Sequence, residues 1–309
     1  MKERLIGLFE GRPNGPLFIC IGGIHGNEPA GILAIQEMLR LLKVEIIQNP
    51  EFSYNGTFIG LRGNLPAINQ MKRFIGRDLN RMLSTEDSAR IRNTLYDDRT
   101  SEDIQALELT EAVESEIIRH PANTVLIIDL HTTTADGGIF TISSDDNMSR
   151  QIALSLHAPV ILGISKGLKG TTIEYFNKPE RNQYCIVFEA GQHKDPQSVY
   201  RAVAAIVSAM KFIGAVESSD VHIKHENLLV EESAGLPKLT RLISHYKIKD
   251  GENFKMNPGY KNFQSIAAGE LVASNAEGPI YSPESGLILM PKYQLQGEDG
   301  FFIVKPVEN

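Results

Sequence analysis

The stretch LFICIGGIHGNE, residues 17–28, joins a continuous apolar run to a short polar turn. Such a run is typical of a strand that is buried on both faces of a parallel sheet. The turn places an imidazole, His25, and a carboxylate, Glu28, three residues apart. A second, mostly apolar run at residues 125–131 ends at another imidazole, His131. Because ligands of open α/β sheets bind beyond the carboxyl ends of the strands, we expect these three side chains to converge at one edge of the sheet.

These three residues form a candidate metal site. Two histidines and one glutamate are the ligand set of a catalytic zinc, which keeps a fourth position open for water. The sequence therefore predicts one Zn²⁺ per chain, bound by His25, Glu28 and His131. Asp129 lies two residues before His131, on the same face of the strand, where it would accept the second ring N–H. The alternatives are a structural histidine at His25 and an Asp129 that only caps its strand.

Two further groups of polar residues suggest catalysis and substrate recognition. Glu189 ends a third apolar run, where a carboxylate is costly unless it is paired or functional. Near a metal it can take a proton from water and pass it to a leaving amine. Residues 73–81 contain three arginines and an asparagine, which suit a carboxylated substrate and a polarised carbonyl. The alternatives are a salt-bridged core carboxylate at Glu189 and a solvated arginine, which we favour for Arg77.

The order of the predicted elements favours an α/β fold. The predicted strands lie at about 17–22, 57–62, 124–130 and 184–189, and the predicted helices at about 28–43, 102–119 and 196–212. Apolar strands separated by amphipathic helices indicate a mostly parallel sheet flanked by helices. Beyond about Val216, short β-prone segments alternate with turn residues. We therefore expect a catalytic domain at residues 1–215 and a smaller, mostly-β domain at residues 216–309.

Composition and charge exclude several classes of protein. The chain has 309 residues, of which 42% are hydrophobic and 22% charged, as in an ordinary globular protein. A net charge of -7 without a basic stripe argues against nucleic acid as a partner. No apolar run reaches the roughly 18 residues of a membrane span, and the N-terminus lacks the pattern of a signal peptide. We expect a cytoplasmic protein without a membrane partner.

The motifs resemble those of the aspartoacylase and succinylglutamate desuccinylase family, within the zinc carboxypeptidase superfamily. They are HGNE at residues 25–28, RDLNR at 77–81, DLHT at 129–132 and EAG at 189–191. The resemblance covers about residues 1–215 by motif and the C-terminal part by position and type. It implies a zinc-carboxypeptidase-like fold and hydrolysis of a linear amide, an N-acyl amino acid, to a carboxylate and a free amino acid.

The resemblance also implies roles for individual residues. His25, Glu28 and His131 would bind zinc, and Glu189 would be the general base and acid. Arg73 matches the arginine that polarises the substrate carbonyl in aspartoacylases. The substrate α-carboxylate would be held by Asn80 and Arg81.

A second substrate-binding region departs from the family pattern. Tyr175 falls, without a gap, where an aspartoacylase tyrosine contacts substrate. Pro179 occupies the ungapped position of the arginine that reads the substrate side-chain carboxylate, and Arg181 lies close by as the expected substrate-binding residue. This departure argues against simple aspartate specificity. Aspartoacylases also have a substrate tyrosine from the C-terminal domain, and Tyr260, Tyr281 and Tyr293 are its candidates.

Three other functions remain open from the sequence. The same zinc site would serve a metallocarboxypeptidase, or an amidase or esterase for a larger acylated metabolite. A zinc-bearing binding protein without turnover is the third, although it would have no need of a positioned base at Glu189. The expected partner is a small-molecule N-acyl amino acid, and the resemblance is compatible with a homodimer.

Overall fold

A computed structural model describes residues 3–217 and 224–307 of the protein. The strands are β1 Leu5–Glu10, β2 Arg12–Gly22, β3 Asn55–Arg62, β4 Val125–Thr133, β5 Phe140–Ile142, β6 Val160–Leu162, β7 Gln183–Gln192, β8 Leu239–Lys247, β9 Lys255–Met256, β10 Gln264–Ile266, β11 Leu271–Asn275, β12 Gly278–Tyr281, β13 Gly286–Leu289 and β14 Asp299–Pro306. The helices are α1 Ala30–Gln48, α2 Leu65–Gln70, α3 Thr85–Asn93, α4 Ser101–Arg119, α5 Asn147–Ser155, α6 Ile164–Gly167, α7 Thr172–Phe176, α8 Gln197–Phe212 and α9 Lys224–Glu232. Short 3₁₀ turns occur at Leu79–Arg81, Tyr96–Asp98 and Pro179–Arg181.

A large mixed sheet organises the fold. Its eleven strands lie in the order β1-β3-β2-β4-β7-β5-β6-β8-β14-β13-β10. The central strands β3, β2, β4 and β7 are parallel, and they are the apolar runs of the sequence. Their carboxyl ends therefore share one edge of the sheet, as predicted. The predicted α/β fold with flanking helices is confirmed.

Both faces of the sheet are covered, which explains why its central strands are apolar throughout. Alternate residues of β2 enter two separate cores. Phe18 and Cys20 belong to the core that contains residues of α1 and α8. Ile19 and Ile21 belong to the core that contains residues of α4. Because neither face of β2 meets solvent from Leu17 to Gly22, this apolar segment carries no alternation of polar and apolar residues.

The turn between β2 and α1 is fixed by close packing. A Cβ atom on Gly26 would lie 2.0 Å from the carbonyl carbon of Ala67 in α2, so that only glycine fits. The Glu28 N–H donates to the carbonyl of His25 at 3.1 Å, which closes the turn. Helix α1 begins at Ala30 rather than at the predicted Glu28. Glu28 therefore lies in the turn, on the same short segment as His25.

The C-terminal part is rich in β structure, as predicted, and continues the main sheet. Strand β8 pairs in parallel with β6, and β14, β13 and β10 follow it across the sheet. Strands β12, β11 and β9 form a second, three-stranded sheet. A third core, with Val272 and Phe301 among its members, lies in this part. The division into domains at residues 215 and 216 stays a prediction. Within the described ranges, no helix has both the length and the apolar character needed to cross a membrane.

Candidate active site

Three buried side chains meet at the carboxyl edge of the central strands. His25 and Glu28 come from the turn after β2, and His131 comes from β4. One Glu28 oxygen lies 2.9 Å from His25 Nδ1, and the other lies 3.1 Å from His131 Nδ1. The backbone N–H of Thr132 donates to Glu28 Oε2 at 2.9 Å. One ligand atom from each of the three side chains lies within 4.8 Å of the others.

The far side of each imidazole is held by an aspartate. Asp78 Oδ1 lies 3.2 Å from His25 Nε2, and Asp129 Oδ2 lies 2.8 Å from His131 Nε2. The hydrogen bond expected for Asp129 is therefore present. Asp129 also accepts a hydrogen bond from the Thr172 hydroxyl at 2.8 Å, which ties β4 to α7. These contacts fix both rings in orientation and favour the Nδ1 atoms as ligands.

The charges of this group are strongly coupled. Burial alone would raise the pKa of Glu28, but the charges of His25 and His131 and the hydrogen bonds with them together outweigh it and hold that pKa well below its usual range. Burial alone would lower the pKa of His131, but the charges of Asp129 and Glu28 and the hydrogen bonds with them together outweigh it and raise that pKa well above the usual value. The two imidazoles and one carboxylate, backed by two aspartates, fit a divalent metal such as zinc.

Glu189 lies beside this group on the next strand. It is the register partner of His131 in the parallel pair formed by β4 and β7. Its side chain is buried, and Oε2 has no hydrogen-bond partner among the described residues. Burial is the main cause that raises the pKa of Glu189 to about 8. A buried carboxyl with this pKa is suited to exchange protons near neutral pH.

Arg73 extends into the same cleft from the loop after α2. Its Nε and Nη2 atoms donate to Asp78 Oδ2 at 3.1 and 3.0 Å. Its Nη1 atom lies 3.6 Å from Glu28 Oε1. The guanidinium is thus anchored on Asp78 and placed next to the candidate ligands.

Asn80 and Arg81 also line the cleft. Asn80 accepts a hydrogen bond from the Thr172 N–H at 2.9 Å through its side-chain oxygen. Arg81 donates to Asp299 on β14 at 2.5 Å, and His245 lies 2.8 Å from the other Asp299 oxygen. Burial alone would raise the pKa of Asp299, but the hydrogen bond with His245 and the charge of Arg81 outweigh it and lower that pKa to about 2. The charge of Arg81 is therefore compensated from the C-terminal part of the chain.

The remaining predicted residues lie elsewhere. Tyr175 donates to Glu114 at 2.8 Å, and the Arg181 side chain is 72% exposed. Neither belongs to the described residues that line the cleft, so their substrate-binding roles stay predictions. Arg77 is half exposed and pairs with Asp87 at 3.1 Å, as expected for a solvated arginine. The described lining residues also include none of the three C-terminal tyrosines, Tyr260, Tyr281 and Tyr293.

The cleft contains polar residues that sequence reasoning missed. His193 follows β7 and lies with Nδ1 2.7 Å from the Thr132 hydroxyl, while its Nε2 is buried without a partner among the described residues. Burial lowers the pKa of His193, which favours a neutral ring. Lys292 and Asp299 enter from the C-terminal part. The position of His193, four residues after Glu189, was a usable signal, whereas nothing in the local sequence around residue 292 indicates a cleft.

Comparison with known proteins gives the family. The family model of the succinylglutamate desuccinylase/aspartoacylase catalytic domain matches residues 14–212. A probable aspartoacylase from Nostoc sp. strain PCC 7120 is 33% identical over 122 residues, which cover 40% of this chain and 37% of that protein. The match thus spans well under half of that relative's length.

Two solved structures share the fold at lower identity. The succinylglutamate desuccinylase/aspartoacylase from Rhodobacter sphaeroides has a TM-score of 0.65 at 18% identity, with 97% of this chain and 88% of that chain covered. The succinylglutamate desuccinylase from Vibrio cholerae has a TM-score of 0.64 at 16% identity, with 95% and 82% covered. At these identities the likeness shows the fold alone. The family-model match spans more than half of the chain, and the protein therefore belongs to the succinylglutamate desuccinylase/aspartoacylase family.

Proposed function

We propose that this protein is a zinc-dependent deacylase that hydrolyses the amide bond of an N-acyl amino acid to a carboxylate and a free amino acid. The observation that carries the proposal is the pairing of a buried His25, Glu28 and His131 group with Glu189 at the same register of the adjacent strand. Family membership supports the same reaction class.

The candidate ligands hold the metal, and their partners orient them. Zinc would be held by His25, Glu28 and His131, with Asp78 and Asp129 fixing the two rings. When bound, zinc would act as a Lewis acid on the scissile carbonyl and on water. The remaining chemistry belongs to side chains of the cleft.

Glu189 moves the proton. Its unpartnered Oε2 is free to accept the proton of the attacking water, and the protonated carboxyl then donates it to the leaving nitrogen. Because Glu189 accepts one proton and donates one, it ends the reaction in the state in which it began. Solvent exclusion from this buried position strengthens the interaction with charge that develops on the substrate.

Arg73 and the pair Asn80 and Arg81 position the substrate. The Arg73 guanidinium, fixed by Asp78, faces the charge that develops on the acyl oxygen, and one such donor is commonly worth roughly 3–4 kcal/mol. Asn80 and Arg81 lie at the side of the cleft where the substrate carboxylate would bind. Loss of Arg73 should therefore lower kcat, whereas changes at Asn80 should mainly raise KM.

The test is release of free amine by zinc-loaded protein from N-acetyl and N-succinyl amino acids, with dipeptides in the same panel. We expect turnover of at least one acyl amino acid that exceeds turnover of every dipeptide. A dipeptide cleaved fastest would instead identify a peptidase. Stoichiometric zinc without turnover of any compound would reject the deacylase and support a protein that only binds zinc.

A further inference from the structure

One side of the cleft is apolar. Seven of its described lining residues belong to one hydrophobic core or pack against it, and we call them the apolar wall: Ile142, Ile164, Leu168, Ile173, Val187, Met290 and Phe302. All of them are buried except Leu168 and Met290, which are half-buried. The wall is thus a part of the core that opens onto the candidate active site.

The wall begins next to the proposed base. Val187 lies two residues before Glu189 on β7, so both side chains are on one face of the strand, about 7 Å apart along it. Ile142 on β5 is the register partner of Val187, which places it on the same face. A substrate held with its amide at Glu189 therefore extends one of its substituents along apolar side chains.

The cations of the cleft leave few sites for substrate carboxylates. The arginines and lysines among the described lining residues are Arg73, Arg81 and Lys292. Arg73 is paired with Asp78 at 3.0 Å and Arg81 with Asp299 at 2.5 Å.

Of these three cations, Lys292 is the one whose charge is left to assist Arg81 in binding a substrate carboxylate. It donates to the Leu295 carbonyl at 3.1 Å and has no carboxylate partner among the described residues. Lys292 lines the cleft together with Arg73 and Asp299. One substrate carboxylate can be neutralised there. A second carboxylate against the apolar wall would be desolvated without a partner, which is costly.

We propose that the substrate carries one carboxylate and, in place of a second one, an apolar substituent that packs on the apolar wall. The proposal rests on the deacylase function above and names its substrate class. The apolar substituent is either the amino acid side chain or the acyl chain, and both present the same chemistry to the wall. The polar end of such a substrate binds where Lys292 and Arg81, with its partner Asp299, line the cleft.

Two substrate series distinguish the sources of the apolar group. The first compares N-acetyl-leucine with N-acetyl-aspartate, and the second compares N-hexanoyl-glycine with N-succinyl-glycine. We expect kcat/KM to favour the apolar member of at least one series by about tenfold or more, as expected for a few buried methylenes. The series that shows the preference identifies the substituent on the wall. Equal or higher kcat/KM for the dicarboxylate in both series would overturn the proposal.

Binding of reaction products separates this proposal from the deacylase function. Affinities of zinc-loaded protein for leucine against aspartate, and for hexanoate against succinate, are measured by calorimetry, which needs no turnover. Tighter binding of leucine or hexanoate would support the apolar wall even if no amide were hydrolysed. Equal or tighter binding of aspartate and succinate would overturn it.

Leu168→Arg is the direct variant, with Leu168→Met as its matched control. Leu168 is only half-buried, so a longer polar side chain has room at the surface. We expect Leu168→Arg to shift the preference toward the dicarboxylate by about tenfold, whereas Leu168→Met keeps the wild-type order. An unchanged preference in Leu168→Arg, in a protein that unfolds like wild type, would place the substituent elsewhere and overturn the proposal.

Discussion

At the scale of single residues, Asp129 connects a candidate metal ligand to the substrate cleft. It is fully buried and accepts hydrogen bonds from His131 and Thr172. We expect Asp129→Asn to weaken zinc binding by about 10–100-fold, since partners of this kind orient the ligand and raise its basicity. Competition with a chelator measures the change. Thr172→Val removes only the hydroxyl that donates to Asp129, and it should weaken zinc binding less than Asp129→Asn does. Zinc affinity unchanged in Asp129→Asn would show that the aspartate does not support the ligand.

Glu189 should make the metal-free protein less stable at high pH. Its pKa is raised from 4.5 to about 8, chiefly by burial, so the folded state holds a proton that the unfolded state releases. The stability that depends on this proton is complete below about pH 4.5 and is lost as the pH rises toward about 8.

Glu189→Gln, which carries no titrating group, should therefore gain stability relative to wild type as the pH rises. Chemical denaturation of chelator-treated protein at a series of pH values measures the difference. Glu180→Gln, at a carboxylate that is 69% exposed, is the control and should show no such trend. If the difference in free energy of unfolding between Glu189→Gln and wild type stayed constant from pH 5 to about 8, burial would not raise the pKa of Glu189.

Four of the residues that sequence reasoning found share a local signal. His25 and Glu28 follow an apolar strand, and His131 and Glu189 lie near the ends of two others, where a buried polar residue is costly unless it is paired or functional. Lys292 and Asp299 carry no such signal, because only the path of the C-terminal strands brings them to the cleft. Their roles depend on tertiary structure.

At the scale of elements, the long apolar strands were predictable and the short ones were not. The strand expected at 124–130 is β4, Val125–Thr133, and the helix expected at 102–119 is α4, Ser101–Arg119. Strands β5 and β6 have three residues each, which is too short for a periodic pattern to be recognised. Because β5 carries Ile142 of the apolar wall, the shape of the cleft could not be predicted from the sequence.

The ion pair between β14 and the 3₁₀ turn at Leu79–Arg81 should stabilise the protein above acid pH. The pKa of Asp299 is about 2, below the usual 3.8, so its contribution is present above about pH 4 and is lost as the pH falls toward 2. We expect the stability advantage of wild type over Asp299→Asn to shrink by about 2 kcal/mol over that interval.

Denaturation curves at a series of acid pH values measure this change. Glu298→Gln is the matched control, because Glu298 is the neighbouring residue and its side chain is 52% exposed. If the difference in free energy of unfolding between wild type and Asp299→Asn did not depend on pH, Asp299 would not be held as a carboxylate by His245 and Arg81.

At the scale of the whole molecule, the main sheet continues from the family-matched region into the C-terminal part. The edge of β6 is covered by β8, and the cleft is completed by Lys292, Asp299 and Phe302. A fragment of residues 1–215 would expose that edge and open the cleft. We expect such a fragment to aggregate or to unfold without a cooperative transition, since unpaired strand edges promote association.

Denaturation monitored by circular dichroism decides this point. A fragment that remains monomeric and unfolds cooperatively would make residues 1–215 an independent domain, as the composition of the sequence suggested. If that fragment also bound zinc, the metal site would require no C-terminal residues. The same fragment would still be expected to lose selectivity among substrates, because Lys292 and Phe302 are absent from it.

The most direct test of the account measures zinc content and amine release on the same samples of wild type and Glu189→Gln. We expect both proteins to hold one zinc per chain and only wild type to release amine from an N-acyl amino acid, because the variant keeps the ligands and lacks the base. A zinc-loaded Glu189→Gln protein that retains about a tenth or more of wild-type turnover would contradict the assigned role. Wild type that binds no zinc would contradict the metal site itself.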